Sequence, residues 1–327
     1  MAVTARPPLP ERPGRRRPRA QWRRIGIALL AAAVLVVVLV RRPERHAPLW
    51  LFRTPLAASD PVLPQSATYV HDFVRDYHHA YGAVTVNTMP LAIASPAQAP
   101  VPVTVKPGHC ANFRSDTGSR IPIPPGTRTS GVGDSPLVVY QPSTGTDWEL
   151  WQASPTATGW SACWGGKLNT FKSDGVFPDG YGLSGSGISY LATMITEADV
   201  ASGSIKHAIA LDLPACNAPQ VFPADRTDCG HDPGQPPEGT WWRFPPGLPV
   251  PGGLTPFARM VFHAVQTYGL VFTDQAGAVA IQAQTPVATG HGGRHSADPL
   301  TASFEGRQAY QVLDGLPWVR LEAVRPP

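Results

Sequence analysis

Residues 186–213 read SGISYLATMITEADVASGSIKHAIALDL, and they decide the fold class. They lie inside the longest proline-free run of a chain with 38 prolines, so backbone hydrogen bonding can proceed there unbroken. Ile188, Leu191 and Ile195 recur at helical spacing and predict a short amphipathic helix near 188–195. Thr196 is placed to cap a second turn, with Glu197 and Asp199 at its positive end. Gly203 suits a left-handed exit from that turn. From Ser204 the period falls to two. Ile205, His207, Ile209, Leu211 and Leu213 take one face of a predicted strand, with Lys206, Ala208, Ala210 and Asp212 on the other.

Composition points the same way. Of 327 residues, 38 are proline and 31 glycine, while 43% are apolar and only 15% charged. That profile is wrong for a disordered chain and right for many short strands joined by Pro/Gly-rich turns. The expected fold is mainly β, a β-sandwich or jelly-roll-like ectodomain with one or two short helices, preceded by a single transmembrane helix. The net charge of +4 is deceptive. Residues 1–42 carry ten arginines against Glu11, which leaves 17 basic and 22 acidic residues over 43–327. The basic character belongs to the tail, so a nucleic-acid-binding surface on the folded part is not expected.

Ile25 to Val40 is an unbroken apolar or glycine run between Arg23-Arg24 and Arg41-Arg42. At the helical rise it spans roughly 24 Å, which Trp22 and snorkelling arginines extend toward a ~30 Å hydrocarbon core. A cleaved signal peptide is the competing reading, but the run ends in two arginines with no small-residue cleavage pair close behind. Residues 25–40 are therefore read as a signal-anchor in the bilayer and 1–24 as a disordered cytoplasmic tail. The excess of arginine before the run puts the rest of the chain on the extracytoplasmic side of the cell membrane. A proline-bearing stalk over 41–65 would lead to a β-rich domain over 66–327. In that compartment Cys110, Cys163, Cys216 and Cys229 should pair. Cys216 and Cys229 bracket a short excursion and are paired, which leaves Cys110 with Cys163. No Cys-x-x-Cys or close Cys/His set calls for a metal, and nothing calls for a cofactor.

Elsewhere, Asp72–Tyr81 has helical spacing, and Pro100–Val105 reads as an edge strand because of its prolines. Residues 136–141 and 147–152 form a hairpin around Pro142–Gly145, and 159–164 and 239–244 supply further strands. Thr255-Pro256 opens the clearest helix, closed by Gly269. Residues 270–274 and 278–282 read as a second hairpin, 285–303 as a mobile loop, and 313–324 as a last strand or two. The blocks ISYLATMITEADVASGSIKHAIAL, PADRTDCG, PPEGTWWRF and VQTYGLVFTDQAG resemble, in that order, a family of uncharacterised secreted or membrane-anchored bacterial proteins. The resemblance implies an extracytoplasmic β-rich domain and transfers no catalytic residue.

Three constellations bear on chemistry. Asp147, Glu149 and Trp151 share one face of a strand: two carboxyls beside an aromatic platform, as a glycosidase requires. His207 is a candidate general base, with Tyr190, Asp228 and Asp274 as companions. Trp241 and Trp242 are adjacent and must point to opposite faces, so one of them is expected to stack on a ligand with Trp151 and Tyr190. The catalytic candidates are thus Asp147, Glu149, His207 and Asp274. The function expected is binding of an extracellular glycan, an envelope polysaccharide, by a membrane-anchored protein, with cleavage left open. The alternative is a tethered, non-catalytic module for envelope proteins, which needs an exposed apolar patch and no acid-lined groove. Gly182-Leu-Ser-Gly-Ser186 is not a nucleophile elbow.

Overall fold

The computed structural model describes residues 49–108, 110, 119–129, 133–178, 181–285 and 299–327. These belong to one compact unit, His46–Pro327. The basic tail, the 25–40 anchor, residues 41–48 and most of the 285–303 loop lie outside the described residues. Among the described residues no helix is long and apolar enough to cross a membrane.

The protein is mainly β, with two sheets and six α-helices among the described residues. The strands are β1 (Thr85–Ile93), β2 (Val101–Val105), β3 (Arg120–Ile121), β4 (Leu137–Gln141), β5 (Thr146–Trp151), β6 (Ser154–Thr156) and β7 (Gly159–Ala162). They continue with β8 (Trp164–Asn169), β9 (Ile209–Leu213), β10 (Trp241–Arg243), β11 (Leu270–Gln275), β12 (Ala280–Thr285) and β13 (Glu322–Val324). The nine-stranded sheet runs β13-β10-β11-β9-β12-β1-β4-β5-β8, and the four-stranded sheet β3-β2-β7-β6.

β9, from the stretch quoted first, lies inside the large sheet, and all five of its residues are buried. The expected 270–282 hairpin does not form. β9 inserts between its two arms, parallel to β11 and antiparallel to β12. A strand buried on both faces wins the central place over an exposed local turn. With β1 parallel to both β12 and β4, the sheet is mixed, which corrects the jelly-roll expectation, since jelly rolls are antiparallel. Sheet covers sheet at one end only. There Leu137, Val139, Trp148 and Leu150 of the large sheet share a core with Val103, Ile121 and Trp160 of the small one.

At the other end helices cover the same face. Thr255 caps the helix Pro256–Thr267 by accepting the Ala258 N–H, and proline occupies the first turn. Its Phe257, Val261, Phe262 and Val265 are fully buried against Leu211, Leu270 and Phe272, each worth roughly 1.5–3 kcal/mol. Gly269, at φ 89°, ends it, because a Cβ there would strike the Trp241 indole. The helix begun at Asp72 in sequence extends back to Ser66.

Other expectations shift. Residues 49–65 are no free stalk. Leu51 and Phe52 are fully buried, Phe52 stacks on Trp241 at 5.6 Å, and the Leu63 N–H bonds Ala323 O. β2 is not an edge strand, since it sits between β3 and β7. Pro102 is tolerated because β3 pairs only with Val101–Pro102, while the β7 pairing begins at Val103. His207 precedes β9 instead of lying on it. The two disulfides join Cys110 to Cys163 and Cys216 to Cys229.

Candidate functional site

On the sheet face opposite the Pro256–Thr267 helix lies a cavity of about 760 Å³. Its polar floor is a row across four neighbouring strands: Asp274 of β11, Asp212 of β9, Gln282 of β12 and Asn87 of β1. Asp274 stands opposite Asp212, and Gln282 opposite Asn87.

Alternation alone would not put Asp274 there. Phe272 pairs with Leu211, and both enter the apolar core, so two residues on Asp274 would return to that core face. A bulge between Phe272 and Asp274 gives Thr273 no partner and turns Asp274 to the cavity side. Thr273 is not idle: its hydroxyl bonds Asp212 Oδ1 at 2.7 Å, while the Gln282 amide bonds Asp212 Oδ2. The Tyr190 hydroxyl donates to Asp274 Oδ2 at 3.0 Å.

Two more acids arrive from loops. Asp228 lies in the segment closed by the Cys216–Cys229 disulfide, and Glu238 just precedes β10. Both converge on Gly185 with Asp274. A Cβ on Gly185 would stand 2.5 Å from Glu238 Oε1, 2.7 Å from Asp228 Oδ1 and 2.8 Å from Asp274 Oδ1. Glycine is what lets the chain pass. The wall is aromatic. Trp151 and Trp164 are cross-strand partners, Tyr181 stacks on Trp164 at 5.0 Å, and the Arg226 guanidinium sits 5.5 Å from the Trp164 ring centre. The Arg226 guanidinium also donates to Ser184 O.

Burial keeps these acids reluctant to ionise. It raises Asp212 to about 7 against the pull of its Thr273 and Gln282 hydrogen bonds, and Glu238 to about 8. Asp274 is pushed well above the ordinary carboxyl value by burial, then by the charges of Asp212 and Asp228. Burial also raises Asp228, which Arg226 opposes. Tyr190 is raised by burial and by the charges of Asp212 and Asp274.

The sequence candidates separate into three groups. Asp274, Asp228, Tyr190 and Trp151 line the cavity. Asp147 and Glu149 share a face as expected but are wholly buried beneath the 183–191 loop. The Ser189 hydroxyl lies 2.9 Å from Asp147 Oδ2 and 3.0 Å from Glu149 Oε1. It has one proton to give, so one of the two carboxyls must keep its own. Burial raises Asp147 well above its ordinary value and Glu149 to about 7, although the Leu191 N–H, 3.1 Å away, favours ionised Glu149. Without a solvent-facing atom the pair cannot meet a polymer; it positions the loop that carries Gly185 and Tyr190.

His207 stands apart from the cavity. Its ring nitrogens contact Ala208 O at 2.9 Å and Asp199 Oδ2 at 3.2 Å. Burial alone would raise Asp199, but the His207 hydrogen bond and charge carry it below its ordinary value. Asp199 also closes the capping box with Thr196 on the helix Glu197–Ser202, so His207 braces that helix. Trp241 and Trp242 are both fully buried: one bonds Tyr268 O and stacks on Phe52, the other packs against Phe73. Neither has a face for a ligand. The set Glu149, His207 and Asp274 therefore does not converge. Missed in sequence were Asp212, Glu238, Gln282, Arg226, Trp164 and Gly185. An aspartate inside the apolar run Ile209–Leu213 was the one signal pointing to them.

Comparison with family models, curated proteins and solved structures finds no match to this chain, so its chemistry is read from the cavity alone.

Proposed function

We propose that this domain binds a glycan of the cell envelope in the acid-floored cavity, at the extracytoplasmic side of a membrane to which residues 25–40 tether it. The observation that carries the proposal is the pairing of an aromatic wall with a hydrogen-bonding floor. A sugar ring has apolar faces and a rim of hydroxyls. Trp151 and Trp164 suit the first, while Asn87, Gln282, Asp212 and Asp274 suit the second. A volume of about 760 Å³ is ordinary for a small-ligand site. The Arg-bracketed apolar run, the two disulfides and the resemblance to secreted bacterial proteins support the address.

For cleavage, the same cavity offers Asp212 and Asp274 as a cross-strand carboxyl pair. One would protonate the leaving oxygen while the other attacks or activates water. The interaction-module reading asks for an exposed apolar patch in place of an acid-lined cavity, and the cavity favours the glycan. The test is a binding screen of the purified full-length chain against envelope polysaccharides, with analysis of products. Binding that Trp164→Ala weakens at least tenfold is expected. No binding to any polysaccharide, or equal binding by the variant, would overturn the proposal, and new reducing ends would extend it to hydrolysis.

A further inference from the structure

We infer that Asp228 and Glu238 form a site for a divalent cation, calcium in the first place. The inference goes beyond glycan binding and does not depend on it. Oxygens of both carboxylates, with one of Asp274, crowd Gly185 at 2.5–2.8 Å from where a Cβ would stand; the ion's place is not there, one bond from Cα, but between Asp228 and Glu238. Crowding of acids is not itself a site; what singles this one out is Glu238. Its side chain is fully buried, and neither carboxylate oxygen has a hydrogen-bond partner. The Thr227 hydroxyl and the Asp228 amide come near enough to favour its ionised form, and the Asp228 carboxyl lies close by, all without normal bonding geometry. A buried carboxylate with both oxygens orphaned costs several kcal/mol unless a proton or a cation attends it.

No ion pair among the described residues neutralises Asp228, Glu238 or Asp274. Arg226, whose charge favours the ionised forms of Asp228 and Glu238, forms no ion pair with either and is held by Ser184 O and the Trp164 face. A carboxylate oxygen of Asp228 and one of Glu238 lie within 4.8 Å of each other. An ion between them would reach both at roughly 2.4 Å, the ordinary calcium–oxygen distance. Cys229 lies within the same 4.8 Å but is locked to Cys216, so it offers no thiolate. An all-oxygen donor set selects a hard cation over zinc. Asp228 is exposed, which leaves an entrance and room for waters to complete the coordination shell.

The experiment is calorimetric titration of the purified full-length chain, first stripped with chelator, with calcium chloride and then magnesium chloride. Melting curves are recorded in calcium and in chelator. Terbium luminescence excited through tryptophan gives a second readout that needs no variant, because Trp164 lines the same cavity. One saturable calcium site is expected, with affinity near the ~0.1–1 mM typical of extracellular modules, a higher Tm in calcium and sensitised terbium emission that calcium displaces. Glu238→Gln and Asp228→Asn should each weaken calcium at least tenfold. Absence of heat, Tm shift and terbium emission would overturn the site, as would equal affinity in Glu238→Gln. No sugar is present in any of these measurements, so a negative result here leaves the polysaccharide screen to stand or fall separately.

Discussion

Gly185 shows how much a single missing side chain can decide. A methyl at this position would sit against three carboxylate oxygens, one rooted in β11 and two in loops. Gly185→Ala should cost about 1–3 kcal/mol by overpacking, read as a lower urea midpoint, and should abolish ligand binding in the cavity. The Asp147–Glu149 pair acts through protons. Glu149 rises from an ordinary 4.5 to about 7 in the folded chain. Between those values the native state holds a proton that the unfolded chain has released, so raising the pH lowers stability. The loss is about 1.4 kcal/mol per pH unit at most, summing to roughly 3 kcal/mol, and is complete above pH 7. A Tm profile from pH 4.5 to 7.5 should therefore fall, and Glu149→Gln should make it shallower by the Glu149 share, the remaining slope belonging to Asp212, Glu238 and the other raised carboxyls. An equally steep profile in the variant would show that Glu149 contributes nothing to it.

At the scale of elements, local signals were read well and long-range pairings poorly. Thr196 with Asp199 caps a helix that Gly203 ends at φ 70°, and Thr255-Pro256 opens the next, because caps depend on residues within one turn. Thr255→Ala should cost about 1 kcal/mol, seen as a lowered Tm of a few degrees or less at this chain length. Phe262→Ala, inside the same helix, should cost about 3–5 kcal/mol, since its ring is fully buried against Phe244. The second hairpin failed because nothing in residues 270–282 announces that β9, some sixty residues earlier, will separate its arms. The cavity was half legible for the same reason. Asp274, Tyr190 and Trp151 sit at recognisable strand or turn positions. Asp228, named in sequence only as a companion of His207, and Glu238, not singled out there, reach it by loops whose course depends on a disulfide and on tertiary packing.

Across the whole molecule, covalent and apolar restraints converge on one face. The Cys216–Cys229 link holds the segment bearing Asp228 beside the sheet. Cys216→Ser with Cys229→Ser should lower stability by about 3 kcal/mol and weaken calcium binding, measured together by melting and calorimetry. Unchanged affinity in the double variant would show that the loop keeps its course unaided. The tryptophans teach a complementary lesson: Trp241 and Trp242 looked like ligand platforms because adjacent strand residues face opposite ways, yet this sheet is covered on both sides there. The extra residue in β11 has the widest reach. Removing Thr273 would leave every chemical group of the cavity in the chain and still dismantle it, because Asp274 would swing into the oily layer shared by Phe272 and Leu211. Whether this acid meets water is settled by an odd or even count along the backbone, so a protein with the same composition and one residue fewer would fold around its carboxylate instead of presenting it.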